Sequence, residues 1–527
     1  MFLDDVKFVY VCKMIHMKRI FPVLMCALIA ASRLSGQSYI DYEMFGAVGD
    51  GVVDDQESIV LAHRTANEKG LPVRVNSGKT YYIGGGDNEI IIRTDTDFGD
   101  AHFIIDDRNV KDRTKNIFNV KPSSAPITIS CKSLRKTDRK LRCGKLPGDC
   151  LVEIINKDKK VYIRKGLNRN AGTAQHEYIL VNRRGRVISP VKWDYETVTS
   201  AKAYPVDKKM LTIHGGVFTT IANAAESRYT YYSRGMKVSR SNVCIEGLTH
   251  LIEGETDHGA PYSGFINISK TTGVIVKDCV LTAHKTYRTI GRAGKPVSMG
   301  SYDLDISNSI NTAIRGCRQT TDIDDKAYWG LMASNFCKGI ILDNCTFSRF
   351  DAHQGVMDVT LKNSVFGHMG TRAVGSGSFT ITNCEMRTNY ILTLRDDYGS
   401  TWDGDVIIKD CTLRPQGGKS ARIINGNNNG DHDFGYPCRL PRRVIVQRLL
   451  IDDSKIVSPE YKGPCVFADF PQKENAAFPI LREGEVVVKD IEISSGRDLK
   501  ISDNPAGFTG YRILCKKQIF LQQFSEI

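Results

Sequence analysis

Through the second half of the chain, apolar and polar residues alternate in short runs, and the runs end alike. VIVKDCVL, AIRGCRQ, IILDNCTF, VTLKNSVF, FTITNCEM, VIIKDCTL and VVVKDIEI place Cys279, Cys317, Cys345, Ser364, Cys384, Cys411 and Ile491 at one shared position, preceded by Asp, Asn or Gly. Alternation with period two predicts strands with one buried face. Asp, Asn and Gly tolerate the left-handed backbone conformation, so each strand is expected to turn a corner there and resume on another face. From Cys317 to Cys411 the intervals are 28, 19, 20 and 27 residues. Short strands repeating at that period predict an all-β, single parallel β-helix whose coils stack ~4.8 Å apart. Hairpin dipeptides, which a barrel or sandwich needs, are sparse. Cys, Ser and Ile interchange at the shared position, as an inward stacking site permits and a disulfide or zinc framework does not.

The open end of a solenoid is an unpaired sheet edge that needs a cap. Residues 44–70, MFGAVGDGVVDDQESIVLAHRTANEKG, supply one: Asp54 or Asp55 as N-cap, Ile59, Ala62 and Ala66 as an apolar helix face, and Gly70 as terminator. FGAVGDGVVDD followed by VRVNSGKTYYIGG resembles the opening of the pectate-lyase-like superfamily of right-handed parallel β-helix proteins, which includes polysaccharide lyases, glycoside hydrolases and phage tailspikes. The resemblance covers roughly fifty residues; it implies the fold and the hand of the helix and leaves the reaction open. The Asn-Thr-Asp, Asp-Asp, Gly-His-Gly and Arg-Ile-Lys segments of polygalacturonase-like hydrolases do not occur as a set, since Asp324-Asp325 stands alone. The pattern of calcium-dependent pectate lyases is missing too.

Ahead of the cap, MKRIFPVLMCALIAASRLSGQ, from Met17 to Gln37, has the basic start, short apolar run and small-residue stretch of a secretory signal peptide. The apolar run is too short to span a bilayer, and Cys26 makes a poor lipid-attachment site. Residues 1–37 are therefore read as an upstream segment and leader, cleaved near Gln37, with residues 38–527 forming one exported catalytic β-helix domain. The leader argues against a phage tail protein. Its removal takes away five basic and two acidic residues and lowers the formal charge from +13 to +10. An exported basic protein attracts polyanions, whereas nucleic acid fits the charge but not export. Seven basic residues fall in CKSLRKTDRKLRCGK, within a predicted surface insertion at 131–150 that is placed to touch substrate; Cys131, Cys143 and Cys150 there are candidate disulfide partners.

Counting outward from the repeat position gives a column of cations along one flank: His284, Arg349, His368, Arg387 and Arg414. A row of donors about one coil apart suits a linear chain carrying carboxylates or sulfates. Two loops leave this flank. DAHQGV carries Asp351, His353 and Gln354, and LRDDYGSTWDGD carries Arg395, Asp396, Asp397, Tyr398, Trp402 and Asp403. The surrounding SNFCKGIILDNCTFSRFDAHQGV and LRDDYGSTW resemble segments of bacterial β-helix proteins thought to act on polysaccharide.

Two reactions suit these residues. Elimination from a uronic acid needs a cation or amide at the carboxylate, a base for the C5 proton and an acid for the leaving oxygen. Arg395, Arg372 and Gln354 can neutralise, His353 can be the base with Asp351 orienting it, and Tyr398 can donate. Lys285, Arg288, Trp402 and the cation column complete the substrate contacts. Hydrolysis instead needs two carboxylates, for which Asp351 with Asp397 or Asp403 are candidates. The positive charge favours elimination on an anionic polysaccharide, with a sulfated glycosaminoglycan such as chondroitin sulfate preferred to pectin. A noncatalytic carbohydrate-binding helix is the third reading. Asp396, Asp397, Asp403 and Asp405 offer oxygen ligands to Ca2+, but Asp-Gly turns supply the same letters, so no metal is assigned. GGGD at 84–87 lacks the strand-turn-helix setting of a phosphate loop.

Overall fold

The computed structural model describes residues 38–227, 231–417, 420–471, 475 and 477–516. The leader expected at 1–37 lies outside the described residues. In the remainder, 28 strands join into one hydrogen-bonded system of mainly parallel pairs, wound as a three-sided parallel β-helix. One side begins at Ile90–Ile92 and Phe118–Val120 and runs through Met236–Val238, Ile266–Ser269, Leu304–Ser307, Met332–Asn335 and residues 350–354 to Tyr390–Leu394 and Arg422–Asn425. This is called the first face below. The second runs from Val73–Arg74 to Gly510–Lys516, and the third from Thr80–Ile83 to residues 491–493.

The corner between the second and third faces is built by the sequence repeat. Asp278, Gly316, Asn344, Asn363, Asn383, Asp410 and Asp490 all take positive φ, from 51° to 63°. Each immediately precedes the shared position. Cys279, Cys317, Cys345, Ser364, Cys384 and Cys411 are buried, and none of these cysteines is disulfide-bonded. The corner amides also stack in register: Asn383 Nδ2 donates to Asn363 Oδ1 at 2.9 Å, and Asn363 Nδ2 to Asp343 Oδ1 at 2.8 Å. One such bond contributes only about 1 kcal/mol, so the column chiefly fixes register while the apolar interior supplies the stability.

A 14-residue helix, α1 (Gln56–Lys69), buries Ile59, Ala62 and Ala66 in the main core and ends at Gly70 with φ 67°. Asp55 occupies its N-cap position without a side-chain cap. Its carboxylate instead accepts the Val48 and Gly49 N–H groups at 2.7 and 3.1 Å, tying the preceding loop.

Between Val120 and Leu211 the solenoid is interrupted by an antiparallel sheet, in the order Ile127–Thr128, Ser200–Pro205, Cys150–Val161, Thr173–Val181, with its own core of Leu134, Leu141, Val152, Ile179 and Tyr195. The basic stretch at 131–150 sits inside this larger unit. Cys131, Cys143 and Cys150 are free. The sheet leans on the solenoid through a buried Lys338–Glu177 ion pair at 2.5 Å and an Arg164–Asp397 pair at 2.5 Å. Among the described residues no helix is long and apolar enough to cross a membrane.

Candidate functional site

Alternation on the first face sends Leu304, Ile306, Met332, Phe350 and Ala352 inward. The intervening residues therefore form an outward ladder in strict register: Asn267, Asp305, Ala333, Asp351, Arg372 and Thr393. Ala333, the smallest member, separates the two carboxylates. The strand repeat sets their backbones roughly 10 Å apart. Above this stretch lies a cleft of about 260 Å3 lined by Asp305, Tyr262, Ser301, Tyr302, Asn335 and His353, among others.

The two carboxylates meet opposite surroundings. Asp351 is buried, and Tyr302 Oη and Arg349 Nη2 donate to its Oδ2 at 2.7 and 2.6 Å. Arg395 Nη1 lies 2.8 Å from both its oxygens. Burial alone would raise its pKa, but the Arg349 and Arg395 guanidinium groups outweigh it and hold the carboxyl far below the usual range. Among the described residues no cation pairs with Asp305. Its Oδ1 has no hydrogen-bond partner among the described residues, and burial pushes its pKa up to about 7.

His353 sits between the Asp305 cleft and the loop carrying Arg395. Burial, with the Arg395 charge adding, lowers its pKa to about 3, so the ring is neutral, and its Nε2 has no partner among the described residues. Its ring centroid is 5.7 Å from that of Tyr398. These placements correct the expected acid–base pair. A histidine held neutral down to about pH 3 is a weak base for C5, because it gains little on protonation. Tyr398 is buried, accepts a hydrogen bond from Gln354 Nε2 at 3.1 Å, and has its pKa raised by burial. Arg395 is spent on Asp351 and on Asp397, which it grips at 3.1 and 2.9 Å, so it is not free to hold a substrate carboxylate. The proposed hydrolytic pair is closed in the same way: Asp397 also pairs with Arg164, and Asp403 pairs with Arg442 at 2.8 Å.

The expected cation column is likewise corrected. His284 is buried between Glu255 at 2.9 Å and Asp303 at 3.2 Å; burial disfavours its charge, but the two carboxylates prevail and raise its pKa to about 10. Arg387 pairs with Glu385 and Asp324, and Arg414 with Glu385 and Asp452. His368 Nδ1 lies 3.0 Å from the Ile323 carbonyl. The column is thus a charge-paired flank of the third face, not a row of free donors. Arg349 is buried against Tyr302 and Trp329, and Trp402 is fully buried with its indole N–H on the Gly377 carbonyl. Lys285 is half-buried with its backbone N–H on Glu255, and the exposed Arg288 lies 3.6 Å from Asp257. Arg372 keeps an exposed guanidinium on the ladder itself. Of the four acidic residues considered for calcium, Asp397, Asp403 and Asp405 are paired to arginines, and Asp396 caps the following N–H. No metal-holding group of three or more His, Cys, Asp or Glu occurs among the described residues.

Sequence reading missed Asp305 and Tyr302. The alternation in SYDLDIS does mark Asp305 as outward. That it would be left without a cation is a tertiary fact.

No protein-family model and no curated protein sequence matches the chain. Among solved structures it is similar to the tailspike gp61 of Pseudomonas phage phi297, with TM-score 0.57 and 14% identity over 91% of this chain and 84% of that one. It is also similar to the gp54 tailspike of Acinetobacter baumannii bacteriophage AP22, solved in complex with A. baumannii capsular saccharide, with TM-score 0.50 and 12% identity over 90% and 79% of the two chains. At such identities the likeness shows a shared β-helix fold alone.

Proposed function

We propose that this protein is an exported enzyme that binds an acidic polysaccharide along the outward ladder of the first face and cleaves it by elimination. The carrying observation is the Asp305 carboxyl, unpartnered at Oδ1 and facing a cleft on the same ladder as the exposed Arg372. With a pKa near 7 it exists in both forms at neutral pH, the condition for a group that takes a proton and returns one. Arg372 holds a carboxylate or sulfate of the chain, and the neutral His353 offers its unpaired Nε2 to a hydroxyl. Elimination is favoured over hydrolysis because hydrolysis asks for a second free carboxylate, and both oxygens of Asp351 are occupied. The role of Asp351 is to anchor Tyr302, which lines the cleft, together with Arg349 and Arg395 behind it. The resemblance of FGAVGDGVVDD to pectate-lyase-like chains and the saccharide bound by the AP22 tailspike agree with a polysaccharide ligand. Among acidic polymers, chondroitin sulfate is the preferred candidate because its sulfates use the positive charge more fully than pectin does.

The test is a panel of chondroitin sulfate, hyaluronan, heparin and pectins followed by ultraviolet absorbance and by reducing ends. Elimination gives both signals together. Reducing ends without absorbance mean hydrolysis, and retained binding with neither signal means a noncatalytic binder.

A further inference from the structure

A second cavity, of about 300 Å3, opens where the inserted sheet meets the solenoid. Its wall joins cations and rings from both units: Lys136, Lys192 and Trp193 from the insertion, and Tyr436, Arg439 and Arg442 from the solenoid. We propose that this seam is a separate binding site for one anionic sugar residue, sulfated or carboxylated, of a polymer; it rests on the polysaccharide reading above but not on the reaction.

Three features argue for a ligand. First, the charges do not cancel. Among the described residues Asp403 is the one carboxylate lining the cavity; it is shared by Arg442 at 2.8 Å and Arg439 at 3.6 Å, and Arg439 also lies 3.7 Å from Glu483. Lys136 remains in excess, and among the described residues no carboxylate lies within ion-pair distance of Lys192 Nζ, which donates to Tyr162 Oη at 2.7 Å and can add its charge when an anion enters. Second, a polar atom is left open: Ser376 Oγ, on a buried side chain, lacks a hydrogen-bond partner among the described residues. Buried polar groups are normally satisfied, so atoms left open on a cavity wall mark where a ligand's oxygens belong. Third, the half-buried rings of Trp193 and Tyr436, with centroids 6.3 Å apart, offer the apolar surface that a sugar face covers. The site is distinct from the Asp305 cleft: Tyr162, which lines the seam, meets Tyr398 at 6.0 Å, and Tyr398 meets His353 on the cleft side. A chain held at both places is gripped by a basic insertion and a catalytic ladder at once.

Protonation gives an independent signature. Lys192 is lowered to about 7, by burial first and by the nearby Lys338 and Lys136 charges, against the opposing carboxylates Glu177 and Asp403. Glu177 is already bound to Lys338 and to two backbone N–H groups. An anion entering the seam favours the ammonium form of Lys192, so binding near pH 7.5 takes up protons.

The experiment uses the full chain carrying Asp305→Asn, to prevent turnover, and calorimetric titration with a chondroitin sulfate tetrasaccharide in two buffers of different ionisation enthalpy. Binding with net proton uptake is expected. Trp193→Ala and Arg442→Ala, added singly, should each weaken it about 10-fold or more in protein that stays folded, with Arg442→Ala leaving the melting temperature unchanged, and inorganic sulfate should compete. Failure of the tetrasaccharide to bind, or affinity that survives both substitutions in folded protein, overturns the site. Loss of the seam with intact cleavage by the unsubstituted chain leaves the proposed function standing. Binding at the seam without cleavage of any polymer removes the proposed function and leaves the seam.

Discussion

Asp303 and Asp305 stand two residues apart, one just before the strand Leu304–Ser307 and one within it, and the molecule treats them oppositely. Asp303 is fully buried, with Oδ2 on His250 Nδ1 at 2.8 Å and on the Thr282 N–H at 2.9 Å, and Oδ1 on His284 Nε2 at 3.2 Å. Burial works against its charge, yet the two histidines hold its pKa well below the ordinary value. His284 is closed in turn by Glu255, which also accepts from Tyr287 at 2.5 Å. Asp305 meets burial with no compensating cation among the described residues, and its pKa moves the other way. A complete network locks carboxylate and imidazole into fixed charge states, whereas an incomplete one leaves a proton free to move near neutral pH.

The largest effect expected from breaking this contrast is on the closed side. Asp303→Asn strips the charge that two buried histidines share and should cost about 3–5 kcal/mol of stability, the scale of a broken buried pair. Denaturant midpoints measure it directly. A midpoint equal to that of the unsubstituted protein would show that the network contributes nothing to folding.

Next comes the open side. Asp305→Asn keeps shape but removes the proton, so turnover should fall ~10²-fold or more, equivalent to roughly 2.7 kcal/mol in barrier, with no loss of stability. If activity and melting temperature fell together, Asp305 would be a packing residue and the acid–base role would have to move elsewhere.

How much of this the sequence carried depends on the range of the interaction. The corner column was legible because its cause is local: an Asp, Asn or Gly at positive φ followed by a small or apolar residue sets one turn of chain, and the turn recurs. The helix at 56–69 was legible for the same reason. The site was only partly so. DAHQGV stands out in the sequence as a concentration of polar groups, and in the structure Asp351 lies 2.8 Å from Arg395, whose charge also acts on His353. Their charge states depend on Arg349, two residues before Asp351 on the same strand, and on Tyr302 and Arg164, brought in from another coil and from the insertion, and these turn the expected base into a neutral ring and the expected clamp into a buried ion pair. The cation column is corrected for a related reason: Asp324 and Asp452 reach Arg387 and Arg414 from distant stretches of chain, Glu385 bridges both arginines from two residues before Arg387, and one-coil counting tracks the cations without their partners.

The smallest effect separates the two carboxylates by pH. The native pKa of Asp305, about 7, lies above its ordinary 3.8. Between those values the folded state holds a proton that the unfolded chain has released, so Asp305's contribution to stability declines as pH rises through that window. Asp303 and Asp351, with depressed native values, contribute the opposite slope: their stabilisation is present above the ordinary carboxylate range and is lost as pH falls below it. Asp305→Asn removes the first slope and leaves the second. The variant should therefore gain on the parent protein from pH 5 up to about pH 7, above which Asp305 is deprotonated in both states, and keep that advantage at pH 8. Unfolding free energies at pH 5, 6.5 and 8 for both proteins test this. A difference that stays constant over the three values would mean that Asp305 titrates alike in the folded and unfolded chain, and that its isolation in the cleft does not tune its proton.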